Sequence, residues 1–234
     1  MEDRVPDPMI VLLTRPEASA LRFAERIHAR MTAEVVIAPM VRIDPVPAEV
    51  KWDRWRGAIL TSQHGAGRLG DVPDGLPAFC VGRRTAQVAE AAGCTVRSAD
   101  GDAEALIAMI AELRPEGPLL HLRGEVSRGE IAGRLTALGL ETGETVVYRQ
   151  QDLPLSDAGR SVLSGSRAVT VPLFSPRAAE RLVRAGPFGA PVMIAAMSAE
   201  VARAAEPIGA ARIVVAERPN AASLLKALSE LRGA

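Results

Sequence analysis

Six places in this 234-residue chain set a small or hydroxyl-bearing residue between an apolar run and a helical one. They are Thr14-Arg15-Pro16, Thr61 with Ser62, Gly82 with Thr85, Arg123 with Gly124, Ser175 with Pro176, and Ser198. At such a junction the first N–H groups of a helix lack intrahelical partners, and the helix dipole adds positive potential. The junction therefore either caps itself or takes an anion. Any one Ser or Thr is explained by capping, and Gly82 by a tight turn. Their recurrence suits a ligand that carries several dispersed anionic groups. A carboxylate at a helix N-terminus needs no dedicated arginine, although Arg15, Arg83, Arg84, Arg123, Arg128 and Arg177 stand close by these turns.

Other chemistries find no motif. No G-x-G-x-x-G follows the first apolar run and there is no phosphate-binding G-x-x-x-x-G-K-[ST], so dinucleotide and P-loop readings fail. A nucleophile elbow and a helical pair of metal-binding histidines are also absent. His28, His64 and His121 are scattered, and Cys80 and Cys94 sit in or beside apolar segments as reduced core residues, so no metal site is expected. Positive and negative side chains balance at 28 each, which asks for neither nucleic acid nor an anionic membrane. No apolar run approaches the ~20 residues of a membrane span, and the start (MEDRVPDPMIVLL) has no cleavage site, so the chain reads as cytoplasmic.

The elements that must position the turns alternate from end to end. Strand-like runs fall at residues 10–13, 35–38, 58–61, 78–81, 95–97, 119–122, 145–148, 168–173, 192–195 and 213–215. Helical periods fall between them at residues 18–29, 85–92, 103–113, 130–138, 176–185, 199–205 and 221–231. Asp102 and Asn220 stand where N-caps belong, and Gly93, Gly139 and Gly209 where C-terminal caps belong. Steady alternation of strand and helix means parallel sheets covered on both faces, with the junctions gathered at the carboxyl edges where such sheets bind ligands.

The chain also repeats itself out of phase. Residues 59–69 (ILTSQHGAGRL) are echoed by 172–182 (PLFSPRAAERL), 79–113 by 193–231, and 11–43 by 119–149, at an offset of about 110 residues. The expected fold is α/β: two similar parallel-sheet lobes of flavodoxin-like topology joined by a two-strand hinge, one lobe discontinuous. The boundaries are residues 1–40 and 152–234 for the first lobe, 46–146 for the inserted second lobe, and 41–45 and 147–151 for the connecting strands.

The succession LTRPE (13–17), LTSQHGAG (60–67), CVGRRTAQVAEAAG (80–93), LLHLRGE (119–125), VVYR (146–149) and LFSPRAAERL (173–182) resembles the uroporphyrinogen-III synthase family over nearly the whole length. The match departs from the family at residues 63–67, and at 195–198, where A-A-M-S replaces the start of its G-x-x-T-A pattern. The resemblance implies a cofactor-free lyase that converts hydroxymethylbilane, a linear tetrapyrrole with an acetate and a propionate on every ring, to uroporphyrinogen III. Pyrrole electrons expel the terminal hydroxyl, ring D is attacked at its substituted carbon to form a spiro species, and fragmentation and reclosure invert that ring with net loss of water. Unassisted closure gives the uninverted isomer, so the protein's task is orientation and exclusion of water.

By position, Tyr148 matches the family tyrosine favoured for assisting hydroxyl departure, since a phenol protonated at neutral pH donates to a leaving oxygen. Packing of a strand aromatic on the linker stands beside that reading. Thr61, Ser62, Thr85, Ser175 and Ser198 match family cleft-loop positions; Arg15, Gly82, Arg123 and Gly124 complete the expected substrate contacts. The resemblance implies a small-molecule tetrapyrrole partner, with no nucleic acid or membrane. The chain is then a monomer in transient contact with the preceding enzyme of the pathway. The competing reading is a non-catalytic tetrapyrrole-binding or sensory relative on the same scaffold.

Overall fold

Unbroken apolar runs set the architecture, because a strand buried on both faces has no polar alternation. The computed structural model describes residues 8–127 and 129–232, so Arg128 lies outside the described residues. In chain order, β1 (Met9–Leu13), α1 (Glu17–His28), β2 (Ala33–Ile37) and β3 (Val41–Pro45) lead into β4 (Gly57–Leu60), α2 (Gln63–Ala66), β5 (Pro77–Cys80) and α3 (Arg83–Ala91). Next come β6 (Thr95–Ser98), α4 (Ala103–Leu113), β7 (Leu119–Gly124), α5 (Ile131–Ala137) and β8 (Thr142–Asp152). The chain ends with α6 (Asp157–Ser164), β9 (Val169–Leu173), α7 (Pro176–Ala185), β10 (Val192–Ala196), α8 (Ala199–Ala205), β11 (Arg212–Val215) and α9 (Ala221–Glu230). Two units result: Met1–Arg42 with Asp152–Ala234, and Ile43–Gln151.

The first unit holds a five-stranded sheet in the order β11-β10-β9-β1-β2, with every neighbouring pair parallel. The second sheet has six strands, β3-β8-β7-β4-β5-β6, parallel from β8 to β6. Superposing the orders puts β7 in the place of β1, β8 of β2, and β4, β5 and β6 of β9, β10 and β11, the correspondence the repeat requires. Counted in its own chain order the first sheet reads 2-1-3-4-5, the flavodoxin-like order, whereas the second reads 3-2-1-4-5. The arrangement is the same; the chain enters it at a different strand.

Where the chain passes between units, Leu153 N–H donates to the Met40 carbonyl at 3.0 Å and Val46 N–H to the Val147 carbonyl at 3.0 Å. One partner number rises as the other falls, so these connecting strands run antiparallel.

Alternation along each strand feeds two cores per sheet. Ile10 and Leu12 enter the layer under α6, α7 and α8. Val11 and Leu13 pack with Phe23, Ile27, Leu224 and Leu228 of α1 and α9. Likewise Ala58, Leu60, Leu120 and Leu122 face α2 and α3, while Ile59 and Leu119 meet Leu106, Ile110 and Leu135 of α4 and α5. Cys80 and Cys94 lie in the first of these layers as free, buried thiols, and burial pushes Cys80 up to about 12. The expected caps form: Asp102 accepts from Ala105 N–H at 3.0 Å and Asn220 from Ser223 N–H at 2.9 Å. Gly93, Gly139 and Gly209 all take positive φ after helices.

Two helices are not legible in the periodicity. Helix α6 carries Gly159 in its first turn because Leu155 and Ala38 approach it closely; an added Cβ would stand 2.7 and 2.9 Å from their side chains. Helix α2 is a single turn containing Gly65, where a Cβ would stand 2.6 Å from the Leu122 carbonyl oxygen. In both, close packing selected glycine against helix propensity.

Candidate active site

The junctions fall where a parallel sheet places them. In the first unit Ser175 follows β9 and accepts from Ala178 N–H at 3.3 Å, and Ser198 follows β10 and accepts from Val201 N–H at 3.3 Å. Arg15, after β1, stacks its guanidinium over the Phe174 ring at 3.7 Å. In the second unit Ser62 follows β4 and accepts from His64 N–H at 3.1 Å. Gly82 caps α3 with extended backbone and nothing within 4 Å of a would-be Cβ, so no tight turn demands glycine there. Thr85 is buried in the first turn of α3.

A serine hydroxyl that accepts a backbone N–H as a cap keeps its own O–H proton, which together with the neighbouring N–H groups can donate to an anion. Three of the arginines beside the turns have partners within the second unit. Arg83 donates to Asp100 at 3.0 Å, and Ser98 and Arg83 together hold the Asp100 carboxyl below its usual range. Arg84 donates to the Gln63 side-chain oxygen. Arg123 donates to Glu144 at 2.6 Å and to the carbonyls of Gly124 and Glu125 at 3.0 and 3.1 Å. Its guanidinium holds the edge of the sheet together.

The most specific geometry surrounds Tyr148. Strands β7 and β8 pair in register from Leu119 opposite Thr142 to Arg123 opposite Val146, then slip so that Gly124 faces Tyr148. A one-residue slip turns a side chain to the other face, and a bulge is the usual device for re-aiming one. Val147 and Tyr148, although adjacent in sequence, consequently pack into the same core layer. The phenol ring lies directly on the backbone of Gly124: an added Cβ there would stand 2.7 Å from two ring carbons and 3.0 Å from the hydroxyl oxygen. The His64 imidazole borders the ring, with centroids 5.6 Å apart and planes tilted by 56°. Glu125 N–H donates to the Tyr148 carbonyl at 2.9 Å, fixing the strand beyond the bulge. Gly124, expected as a substrate contact, is the floor on which Tyr148 rests.

Sequence reasoning passed over His64, His121 and Glu144. His121 and Arg123 alternate along one strand and so share a face. The Thr61 hydroxyl lies 3.3 Å from His121 Nε2, and burial drives the His121 pKa down to about 4.

A cavity of about 820 Å³ opens elsewhere, at the amino edge of the second sheet, walled by Trp52, Trp55, Pro73, Leu76, Pro77 and Pro115. None of the hydroxyl turns lines it. Among the described residues no group of His, Cys, Asp or Glu could hold a metal ion, and no helix is long and apolar enough to cross a membrane.

A duplicated, doubly wound α/β protein with serine-capped helices after β9 and β10 of one sheet and after β4 of the other, and one tyrosine set on a glycine floor, is the class these features define. Residues 22–226 match the family model described as uroporphyrinogen-III synthase HemD, and the chain belongs to that family. The fold is similar to that of the uroporphyrinogen-III synthetase from Helicobacter pylori, at TM-score 0.68 and 16% identity over 97% of this chain and 100% of that one. A mutant uroporphyrinogen III synthase from the extremely thermophilic bacterium Thermus thermophilus is also similar, at TM-score 0.52 and 14% identity over 97% of this chain and 100% of that one. Comparison with curated proteins finds no match.

Proposed function

We infer that this chain is a uroporphyrinogen-III synthase, a lyase that cyclises hydroxymethylbilane with inversion of ring D and loss of water. The family match over residues 22–226 carries that reading. The site supports it: a polycarboxylate needs donors at many dispersed points, and capped helix N-termini provide them without one dominant cation. We assign the carboxylate contacts to Arg15, Ser175 and Ser198 of the first unit and to Thr61, Ser62, Gly82 and Thr85 of the second. Tyr148 is assigned to the departing hydroxyl. As the pyrrole nitrogen pushes electron density toward the hydroxymethyl carbon, the C–O bond breaks, and a phenol O–H at the oxygen stabilises the charge that develops there. Ring closure through the spiro carbon then depends on how the substrate is held.

Because the linear substrate closes unaided to the wrong isomer, transfer from the enzyme that makes it favours transient contact; we assign the protein to the cytoplasm as a monomer. The test is an assay with freshly generated hydroxymethylbilane that resolves type III from type I product. Type III product is expected; only type I, at the rate found without protein, would overturn the reading.

Distributed recognition also predicts weak single effects. Ser175→Ala removes a cap and should lower stability by about 1 kcal/mol, read as a shifted urea midpoint. It should reduce kcat/KM about fivefold, the scale of one net hydrogen bond. Complete inactivity in a folded Ser175→Ala protein would instead make this hydroxyl a localised catalytic group.

A further inference from the structure

His121 occupies the middle of β7 and is only 1% exposed. Its Nε2 lies 3.3 Å from Thr61 Oγ1, and its Nδ1 has no hydrogen-bond partner among the described residues. Glu144 and Arg123 are the charged groups facing the ring; they pair with each other at 2.6 Å, and burial dominates, so the imidazole is neutral at pH 7. A neutral imidazole carries one N–H, and its position fixes what Thr61 can offer, because a hydroxyl has one proton and two lone pairs.

If Nδ1 held the proton, an N–H would be stranded in the core. Thr61 would then spend its own proton on Nε2 and turn only lone pairs outward. If Nε2 holds it, the stranded atom is an acceptor, which folded proteins tolerate better than a stranded donor. Nε2–H then donates to Thr61 Oγ1, and the Thr61 proton is left to point away from the core. Thr61 is half-buried just past the carboxyl end of β4, beside the Ser62 cap.

We propose that His121 is a positioning residue: held as the Nε2–H tautomer, it commits the Thr61 hydroxyl to donate to a substrate carboxylate. The inference rests on the assignment of Thr61 as a substrate contact. Nothing in the sequence motif announces it, because the hydrogen bond of His121 goes to another side chain rather than to the ligand.

Two measurements test it on the full chain. Long-range proton–nitrogen correlation spectra at neutral pH, with the signals assigned by single replacement of His28 and His64, should show His121 protonated at Nε2. Protonation at Nδ1 overturns the proposal, whatever the protein's activity. In kinetics with hydroxymethylbilane, Thr61→Val and His121→Phe should each raise KM about tenfold with little change in kcat, the scale of a hydrogen bond to a charged group. The double variant should be no worse than either single one. Independent, multiplicative effects, or an unchanged KM in Thr61→Val, overturn the coupling. Should His121→Phe fail to fold, the tautomer measurement on the native chain still decides the role of His121, and Thr61→Val against Thr61→Ser, the latter expected to retain native KM, decides that of Thr61. A native chain that forms no type III product at all defeats the functional assignment, and the tautomer measurement separates that outcome from failure of the positioning role.

Discussion

Tyr148→Phe lowers kcat for type III formation about 100-fold and leaves the fold intact. The ring is the structural part of this side chain: it fills the layer with Val147, Leu122 and Leu60 and lies on Gly124, and phenylalanine keeps all of those contacts. Only the hydroxyl is lost. General acid assistance spans about 100- to 10,000-fold, and the low end applies because the pyrrole itself expels the leaving group. Pre-steady-state turnover, with substrate generated in excess, separates the chemical step from product release. KM should change little, since the carboxylate contacts are untouched. Full turnover with an unchanged ratio of type III to type I product would return Tyr148 to a packing role and leave water departure to the substrate and a dry site.

The architecture was readable because two signals agreed. Ten apolar runs alternated with helical periods, and the displaced repeat said which strand of one sheet matches which strand of the other; the observed orders follow that matching. Because residues 11–43 match 119–149 while 59–69 match 172–182, the displacement also carries the difference in chain numbering between the two sheets. Helices α2 and α6 were hidden for a local reason, as Gly65 and Gly159 answer to neighbouring atoms rather than to helical propensity.

At the site, composition identified the turns, since Ser62, Ser175 and Ser198 are N-caps. Their arginine neighbours were legible only as charges. Whether Arg123 meets a ligand or Glu144 depends on strand pairing across 21 residues of sequence, which no local pattern encodes. The partnership of His121 was invisible for the same reason: Thr61 is 60 residues away. The bulge that re-aims Tyr148 leaves no mark in VVYR, because a strand of such residues is compatible with either register.

Gly124→Ala is the complementary experiment, since it keeps the Tyr148 hydroxyl and moves it. The Gly124 backbone does not require positive φ, so alanine meets no conformational objection there; the obstacle is the phenol ring alone. Two ring carbons 2.7 Å from the new methyl must retreat to the 3.4 Å of ordinary contact, a shift of about 0.7 Å. The ring is the far end of a side chain and yields more readily than the β7 backbone, with His64 crowding its border. Overpacking of this kind costs about 1–3 kcal/mol, which thermal unfolding would register as a lowered Tm. A misplacement approaching 1 Å is worth about 100-fold in rate, so kcat should fall to roughly the Tyr148→Phe level while the phenol remains present. The decisive comparison is the double variant. If Gly124 acts only by placing Tyr148, then adding Gly124→Ala to Tyr148→Phe changes kcat by less than about threefold, because the group being positioned is already gone. Multiplicative losses would show that Gly124 meets the substrate in its own right, and native turnover in Gly124→Ala would show that the chemical step tolerates a displaced phenol, removing the geometric basis for assigning Tyr148 to the leaving oxygen.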